Sequence, residues 1–476
     1  TDFTHIKAGS LLRANGGYLV FNLVDALVEP LVWKELKRTI KSGFVEYHMY
    51  DPFGVFATSA LRPEPIPLSV KIAVLGTPLI YHLLYLYDED FPEIFKVKAD
   101  FSSEIDRSDA TPITIARFVR KLGAQDSVLP FEPLAVAELF RAGIRLAGDF
   151  SKLTAEFSRL ADLAREASFF ARKDSAPAVS GSHVRRAIDE RVYRSNLIAE
   201  RIREFIRNGT LLITVEGAVV GQVNGLSVIQ LGDYMFGRPS RLTASVGIGG
   251  AGIINIERES KLSGRSFDKA MLILEGYLRN KYAAKHPLSL SASLAMEQSY
   301  GLIEGDSASV AELICLLSAL ARIPLRQDIA ITGSVNQWGQ VQAVGAINEK
   351  VEGFFDVCKE LKATGRQGTC IPRANVRNLV LRPDVVDAIR EGRFHIWPID
   401  TIDQALELLG GTPAGDLEEE MTFHWHVDQR LRSIVEALKD SRAIPIERDS
   451  GFVLAPTSPQ DPRPILPGSE HFGEQR

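Results

Sequence analysis

An α/β region carrying a helical lobe, followed by an α+β domain, is the architecture that this sequence predicts. Three textures along its 476 residues point there. Residues 1–125 alternate short apolar runs with amphipathic segments, and residues 132–203 are helical in pattern throughout. From residue 211 the chain becomes rich in β-branched residues and glycine, then alternates strand and helix as far as Leu409.

In the first region, 17–21 (GYLVF) and 71–76 (KIAVLG) read as buried strands, with the amphipathic segment 29–41 between them. In the second, Pro133 opens one helix, residues 150–171 hold a 3.6-residue period, and Ser182 caps a third helix before 183–187 (HVRRA). After Asn208-Gly209, segments 211–215, 219–229 and 243–258 read as strand-rich, and 410–413 (GGTP) closes the domain. A helix over 427–439 and a Pro-rich tail from Pro456, read as disordered, complete the chain. The expected division is 1–125, 126–203, 204–411 and 412–476.

Composition removes several classes of function. Hydrophobic residues make up 45% and charged residues 24%, the balance of a globular chain with real cores. At roughly 150 residues per domain, the length suggests about three domains. The net charge of −5 leaves no basic footprint for nucleic acid. Cys315, Cys358 and Cys370 show no CxxC spacing, which fits a reducing, cytoplasmic setting without structural zinc. No run reaches the ~18 apolar residues of a membrane span; the nearest, 72–87, carries Pro78 and His82. The start, Thr-Asp-Phe-Thr, shows no signal peptide and reads as lying inside a longer protein.

Two segments carry candidate chemistry. Ser307, in 304–309 (EGDSAS), stands between a strand-like run and the helical pattern 310–321. A helix mouth offers free N–H groups and a positive macrodipole end to a developing oxyanion. The same residues also read as capping: 309–312 (SVAE) has the form of a capping box, and Asp306 suits a helix start. Further on, 329–334 reads as a strand, 337–340 (QWGQ) as a tight turn, and 341–344 as the returning strand. Lys350 then falls early in a helix opened by 347–350 (INEK), where the positive helix end repels an ammonium. A solvated surface lysine is the competing reading.

Taken together these segments resemble the Lon proteases, in particular the Lon-like types B and C. The likeness runs to about Gly411 and is densest over 221–409. Residues 221–226 (GQVNGL) resemble the opening protease strand, and 261–264 (KLSG) the turn before a helix over 268–282. Ser307 takes the nucleophile position, Lys350 the position of its dyad partner, and Thr332 that of the threonine bonding the lysine. Asp306 either polarises the site or caps the helix. Ala346 stands where many relatives have glycine. The resemblance implies a serine endopeptidase in which a neutral Lys350 activates Ser307. A lysine near its usual ~10.4 is charged at neutral pH, so it must be desolvated or set beside positive charge.

Residues 1–195 resemble the AAA+ module of these proteases in degenerate form. After 5–17 (HIKAGSLLRANGG), the Walker B acidic pair is replaced by Asn22 and Leu23, and no GxxxxGK[ST] occurs. Asp25 reads as an ordinary helix-start residue. Arg185 and Arg186 fall at the sensor-2 position and read as a solvated helix face or a subunit contact. The resemblance is therefore best to the ATP-independent type C, which implies a homohexamer enclosing its dyads, unfolded protein substrates, no cofactor, no metal, no nucleic acid and no membrane. The competing expectations are an ATP-driven Lon protease with motor residues upstream of Thr1, and a non-proteolytic scaffold. The aromatic segment 44–53 reads as a pore loop or as core, His424-Trp425-His426 as a strand rather than a metal site, and Cys315 as buried packing.

Overall fold

The computed structural model describes residues 7–46, 64–283 and 287–443. The chain divides into two compact units, Thr1–Ser102 and Ser103–Arg476. In the first, the strands Tyr18–Asn22 and Lys71–Leu75 pair in parallel, as alternation of strand and helix requires. Helix Val32–Ser42 supplies the amphipathic segment, and its Trp33 and Lys37 both bond Asp88, at 2.7 Å each. The Asn22 side chain accepts from Val24 N–H at 3.0 Å, capping helix Leu23–Val28, while Leu23 is buried. Asp25 lies in the first turn of that helix, as expected. Of the aromatic segment 44–53, Phe44–Val45 forms a short strand and the part from Tyr47 lies outside the described residues.

The second unit opens with the helical lobe. Helices Thr111–Asp126, Pro133–Ala147, Phe157–Lys173 and Gly181–Ser195 enclose Ile115, Leu139, Leu160, Ala164 and Val184. Pro133 stands in the first turn, where its missing N–H costs nothing. The segment 150–171 is not one helix. Asp149 Oδ1 accepts from Ser151 N–H at 2.8 Å, turning the chain into strand Lys152–Thr154 before the helix resumes at Phe157. The third cap is also displaced: Ser180, not Ser182, is the N-cap, in a box with His183. Arg185 and Arg186 are paired with Glu138 and Asp174 on the helix surface.

A seven-stranded mixed sheet organises the remainder. Its order is Gly252–Asn255, Ser291–Met296, Tyr234–Gly247, Gln222–Leu231, Ile329–Ile331, Gly368–Pro372 and His395–Ile399. The expected strand at 211–215 does not form; Leu212 N–H bonds the Gln298 side chain instead of a neighbouring strand, and Val215 is buried. Helix Ser309–Ala321 is buried on nearly every side, matching its unbroken apolar sequence. Helix Ile347–Glu360 crosses strand Tyr234–Gly247 at a contact only glycine permits. A Cβ on Gly237 would lie 2.0 Å from Glu349 O, and one on Gly353 2.0 Å from Gly237 O.

The closing segment corrects one expectation. Residues 424–426 lie in helix Phe423–Ala443, not in a strand. His424 is fully buried, with Tyr282 Oη at 2.6 Å from Nδ1 and Asp403 Oδ1 at 3.0 Å from Nε2, which pins this helix to its neighbours. Among the described residues no group of three His, Cys, Asp or Glu is placed to hold a metal, and no helix is long and apolar enough to cross a membrane. The three thiols are buried, and burial raises all three above the usual range. The Pro-rich tail lies outside the described residues.

Glu312 is the one acid sealed inside the helix that follows Ser307. Burial, reinforced by nearby Glu257 and opposed by an Asn255 hydrogen bond, pushes its carboxyl up to about 8. Because the folded value exceeds the unfolded one, its contribution to stability is complete below pH ~4.5 and is lost as pH rises through about 8. Glu312→Gln should therefore gain stability over the parent between pH 5 and 8. The gap should open by no more than about 1.4 kcal/mol per pH unit in urea titrations. A constant gap would show that Glu312 does not titrate in that window.

Candidate active site

The backbone before Ser307 is laced to the 261–264 turn. Gly264 N–H donates to Ile303 O and Ile303 N–H to Leu262 O, each at 2.8 Å. The chain then bends into helix Ser309–Ala321 with Ala308 as its N-cap, so Ser307 does stand at a helix mouth, half-buried. Ser307 O accepts from Gly333 N–H at 3.0 Å and from Thr332 Oγ1 at 3.2 Å, while Val310 N–H donates to Gly333 O at 3.2 Å. Those bonds fasten the serine turn to the end of strand Ile329–Ile331. Gly333 permits the approach, since a Cβ there would lie 3.0 Å from Val310 Cγ2 and 3.1 Å from Val341 Cγ1. Among the described residues, nothing accepts the N–H of Ser307 or Ala308.

Lys350 is 2% exposed, and its Nζ donates to the fully buried Thr332 Oγ1 at 3.1 Å. It is not a surface lysine, and it forms no ion pair among the described residues. Burial pulls its amine down to about 8, against the opposing charge of Asp306. Desolvation is thus the leading cause, the first of the two routes that the sequence left open. Ser307, Thr332 and Lys350 are therefore joined through the Thr332 hydroxyl, which donates to one segment and accepts from the other.

Two helix-capping readings change. Asp306 caps nothing with its side chain; its Oδ2 accepts from Ser334 Oγ at 2.7 Å. Ser309 is already inside the helix, and its hydroxyl accepts from Val335 N–H at 3.0 Å, so no capping box forms with the buried Glu312. Sequence reading missed Ser334, Gly333 and Ser309 as supports of the serine turn, because their partners come from the strand end 25 or so residues away. Ala346, the N-cap of the lysine helix, has φ 55° and ψ 40°. That left-handed conformation is the physical reason a glycine suits the position.

Comparison with known proteins fits this arrangement. Residues 1–102 match the family described as LonB-like, AAA domain, and residues 130–194 the archaeal LonB AAA+ ATPase LID domain. Residues 301–409 match the Lon protease (S16) C-terminal proteolytic domain. A Lon protease homolog of Escherichia coli (strain K12) is 35% identical over 416 residues, covering 85% of this chain and 68% of the relative. One from Haemophilus influenzae is 32% identical over 91% of this chain and 71% of its own length. An archaeal Lon protease of Archaeoglobus fulgidus is 25% identical over 84% of this chain and 62% of its own. An AAA-type region followed by a serine peptidase domain is the class so defined. The chain belongs to the Lon protease family.

Two outcomes test this geometry directly. The Lys350 side-chain nitrogen should titrate near pH 8 by ¹⁵N NMR, and lower in Asp306→Asn, because removing that carboxylate removes support for the ammonium. An unmoved midpoint would detach Asp306 from the site. Ala346→Gly, relieving the left-handed alanine, should raise stability by up to about 1 kcal/mol, read as a higher urea midpoint.

Proposed function

We propose that this chain is an ATP-independent endopeptidase that cleaves unfolded or flexible proteins with a Ser307–Lys350 dyad. The observation that carries the reading is the buried Lys350 amine, held on Thr332 beside the serine turn and in no ion pair among the described residues. With its pKa near 8, roughly a tenth of the lysine is neutral at pH 7, where an ordinary lysine is almost wholly charged.

In the proposed reaction Ser307 Oγ attacks the peptide carbonyl carbon and its proton passes to Lys350 Nζ. The unengaged N–H groups of Ser307 and Ala308 meet the oxyanion at the positive end of the serine helix. The C–N bond then breaks, and Lys350 returns the proton to the leaving amine. Water attacks the acyl-enzyme, losing a proton to Lys350, and Ser307 regains its own as the acid product departs. Thr332 keeps the amine in line, and Asp306 tunes it.

Independence from ATP is supported by Asn22 and Leu23, since one side chain caps a helix and the other is buried and apolar. Leu23 can neither hold Mg²⁺ nor orient water, and Asn22 brings no carboxylate charge, its side-chain oxygen being taken by Val24 N–H. The proposal extends to the division 1–125, 126–203, 204–411 and 412–476, to a cytoplasmic homohexamer with its dyads in a chamber, and to action without nucleic acid or membrane.

Casein degradation by the parent, Ser307→Ala and Lys350→Ala, with and without Mg-ATP, tests the proposal. Equal parent rates in both conditions and a loss of at least ~10³-fold in each variant are expected. The rate on a short peptide should rise with pH to a midpoint near 8. Stimulation by ATP would return the ATP-driven reading, and full activity in Ser307→Ala would remove the dyad.

A further inference from the structure

The first turn of the lysine helix buries Ile347 and is held by polar ties as well, one of which comes from the helical lobe. Beside that turn lies a cavity of about 310 Å³ lined by Arg145, Gly148, Val344, Asn348, Glu349 and Asn375, among others. Arg145, in the last turn of helix Pro133–Ala147, spans from the lobe to the lysine helix. Its Nη1 lies 2.6 Å from Glu352 Oε1 and its Nη2 2.7 Å from Glu352 Oε2, a two-pronged pair. Nη2 also reaches Glu349 Oε1 at 3.4 Å, and Nη1 donates to Val380 O at 3.0 Å. Glu349 and Glu352 flank Lys350 in sequence, and Glu352 is 5% exposed.

A second tie runs parallel to the first. Asn348 exchanges two bonds with the segment 378–380, accepting from Val380 N–H at 2.7 Å and donating to Asn378 O at 3.0 Å. That segment is in turn held by the lobe: Asn378 Nδ2 donates to Gly148 O at 3.0 Å, and Phe150 N–H to Arg377 O at 2.9 Å. The opposite face of the helix rests on Gly237 with no room to slide inward. The lysine helix is therefore clamped between the sheet and the lobe, with Arg145 closing the clamp.

We infer that Arg145 is a positioning residue for Lys350, acting through Glu352 and Glu349, so that the helical lobe is a working part of the peptidase site. The inference rests on the proposed role of Lys350 as general base. Two physical effects follow from it. Losing the guanidinium frees the first turn toward the cavity and misplaces the amine relative to Ser307. It also removes one of the two arginines acting on Glu352, leaving Arg382 to offset Glu349 and Glu352 beside an amine that already faces Asp306, and the lost positive charge favours the ammonium form of Lys350.

The test measures peptide cleavage against pH in the full chain for Arg145→Ala, Arg145→Lys and the exchange Arg145→Glu with Glu352→Arg. Arg145→Ala should lose about 10–100-fold in kcat with KM little changed, and the midpoint of its pH profile should move upward. Arg145→Lys keeps the charge without the fork, so it should recover the midpoint and part of kcat; it also carries the test if the alanine variant does not fold. The exchanged pair should exceed either single change. Arg191→Ala, which removes a pair to Glu166 inside the lobe, should leave kcat and the midpoint unchanged while lowering Tm. If Arg145→Ala and Arg191→Ala lose kcat only in proportion to Tm, or if the pH midpoint stays fixed, Arg145 is a stabiliser and the inference fails. Should Lys350→Ala remain active, the dyad itself falls; if it is dead while Arg145→Ala matches the parent, only the role of Arg145 falls.

Discussion

A lysine amine taken out of water is the constraint around which the peptidase domain is arranged. Moving the Lys350 ammonium out of water carries a large penalty, and the fold answers it by lowering the amine's affinity for its proton. The neutral amine still needs one well-placed partner, and the Thr332 hydroxyl supplies it. That hydroxyl in turn spends its own proton on Ser307 O. A single oxygen thus sets the lysine with respect to the serine turn, with neither segment near the other in sequence.

Such an arrangement demands close backbone approach, and glycine provides it at two levels. Gly333 lets the strand end lie against the serine turn, where two main-chain bonds and the Thr332 hydroxyl hold it. Gly237 and Gly353 let the lysine helix lie directly on the sheet. A methyl group at either place would push apart the two segments that must meet. The serine helix needs no such device, because its unbroken apolar surface fixes it within the core.

How far the sequence revealed this differs from residue to residue. Helix Ile347–Glu360, helix Ser309–Ala321 and the hairpin turn at Trp338 follow from periodicity and turn residues, which are local properties. The parallel pairing of Tyr18–Asn22 with Lys71–Leu75 follows from the helices placed between them. Failures arose where a side chain found a distant partner. Ser309 looks like half of a capping box until Val335 claims its hydroxyl, and 211–215 looks like a strand until Gln298 takes the Leu212 N–H. His424 and His426 alternate as in a strand, yet the buried Tyr282 and the partly exposed Asp403 hold the first of them within a helix. Ser180 outcompetes Ser182 because only it can exchange bonds with His183. The dyad candidates were recoverable by family resemblance; the burial that lowers Lys350 was not written in its neighbours.

The helical lobe raises a different physical question, namely what it contributes in a chain where Asn22 caps a helix and Leu23 is buried. Its own surface answers in part. Arg185 and Arg186 pair within the lobe and face outward, whereas Arg145, Gly148 and Phe150 turn toward the peptidase domain. A two-pronged arginine bridge to a nearly buried glutamate is costly to assemble unless both partners are already in place, because each charge loses water and needs its remaining bonds satisfied. Glu352 meets that condition by also accepting from Arg382 N–H at 2.8 Å. Removal of one partner would leave the other charge stranded against the lysine helix. A lobe tied in this manner cannot drift without displacing the helix, so its position is mechanically part of the site whether or not a nucleotide is ever bound.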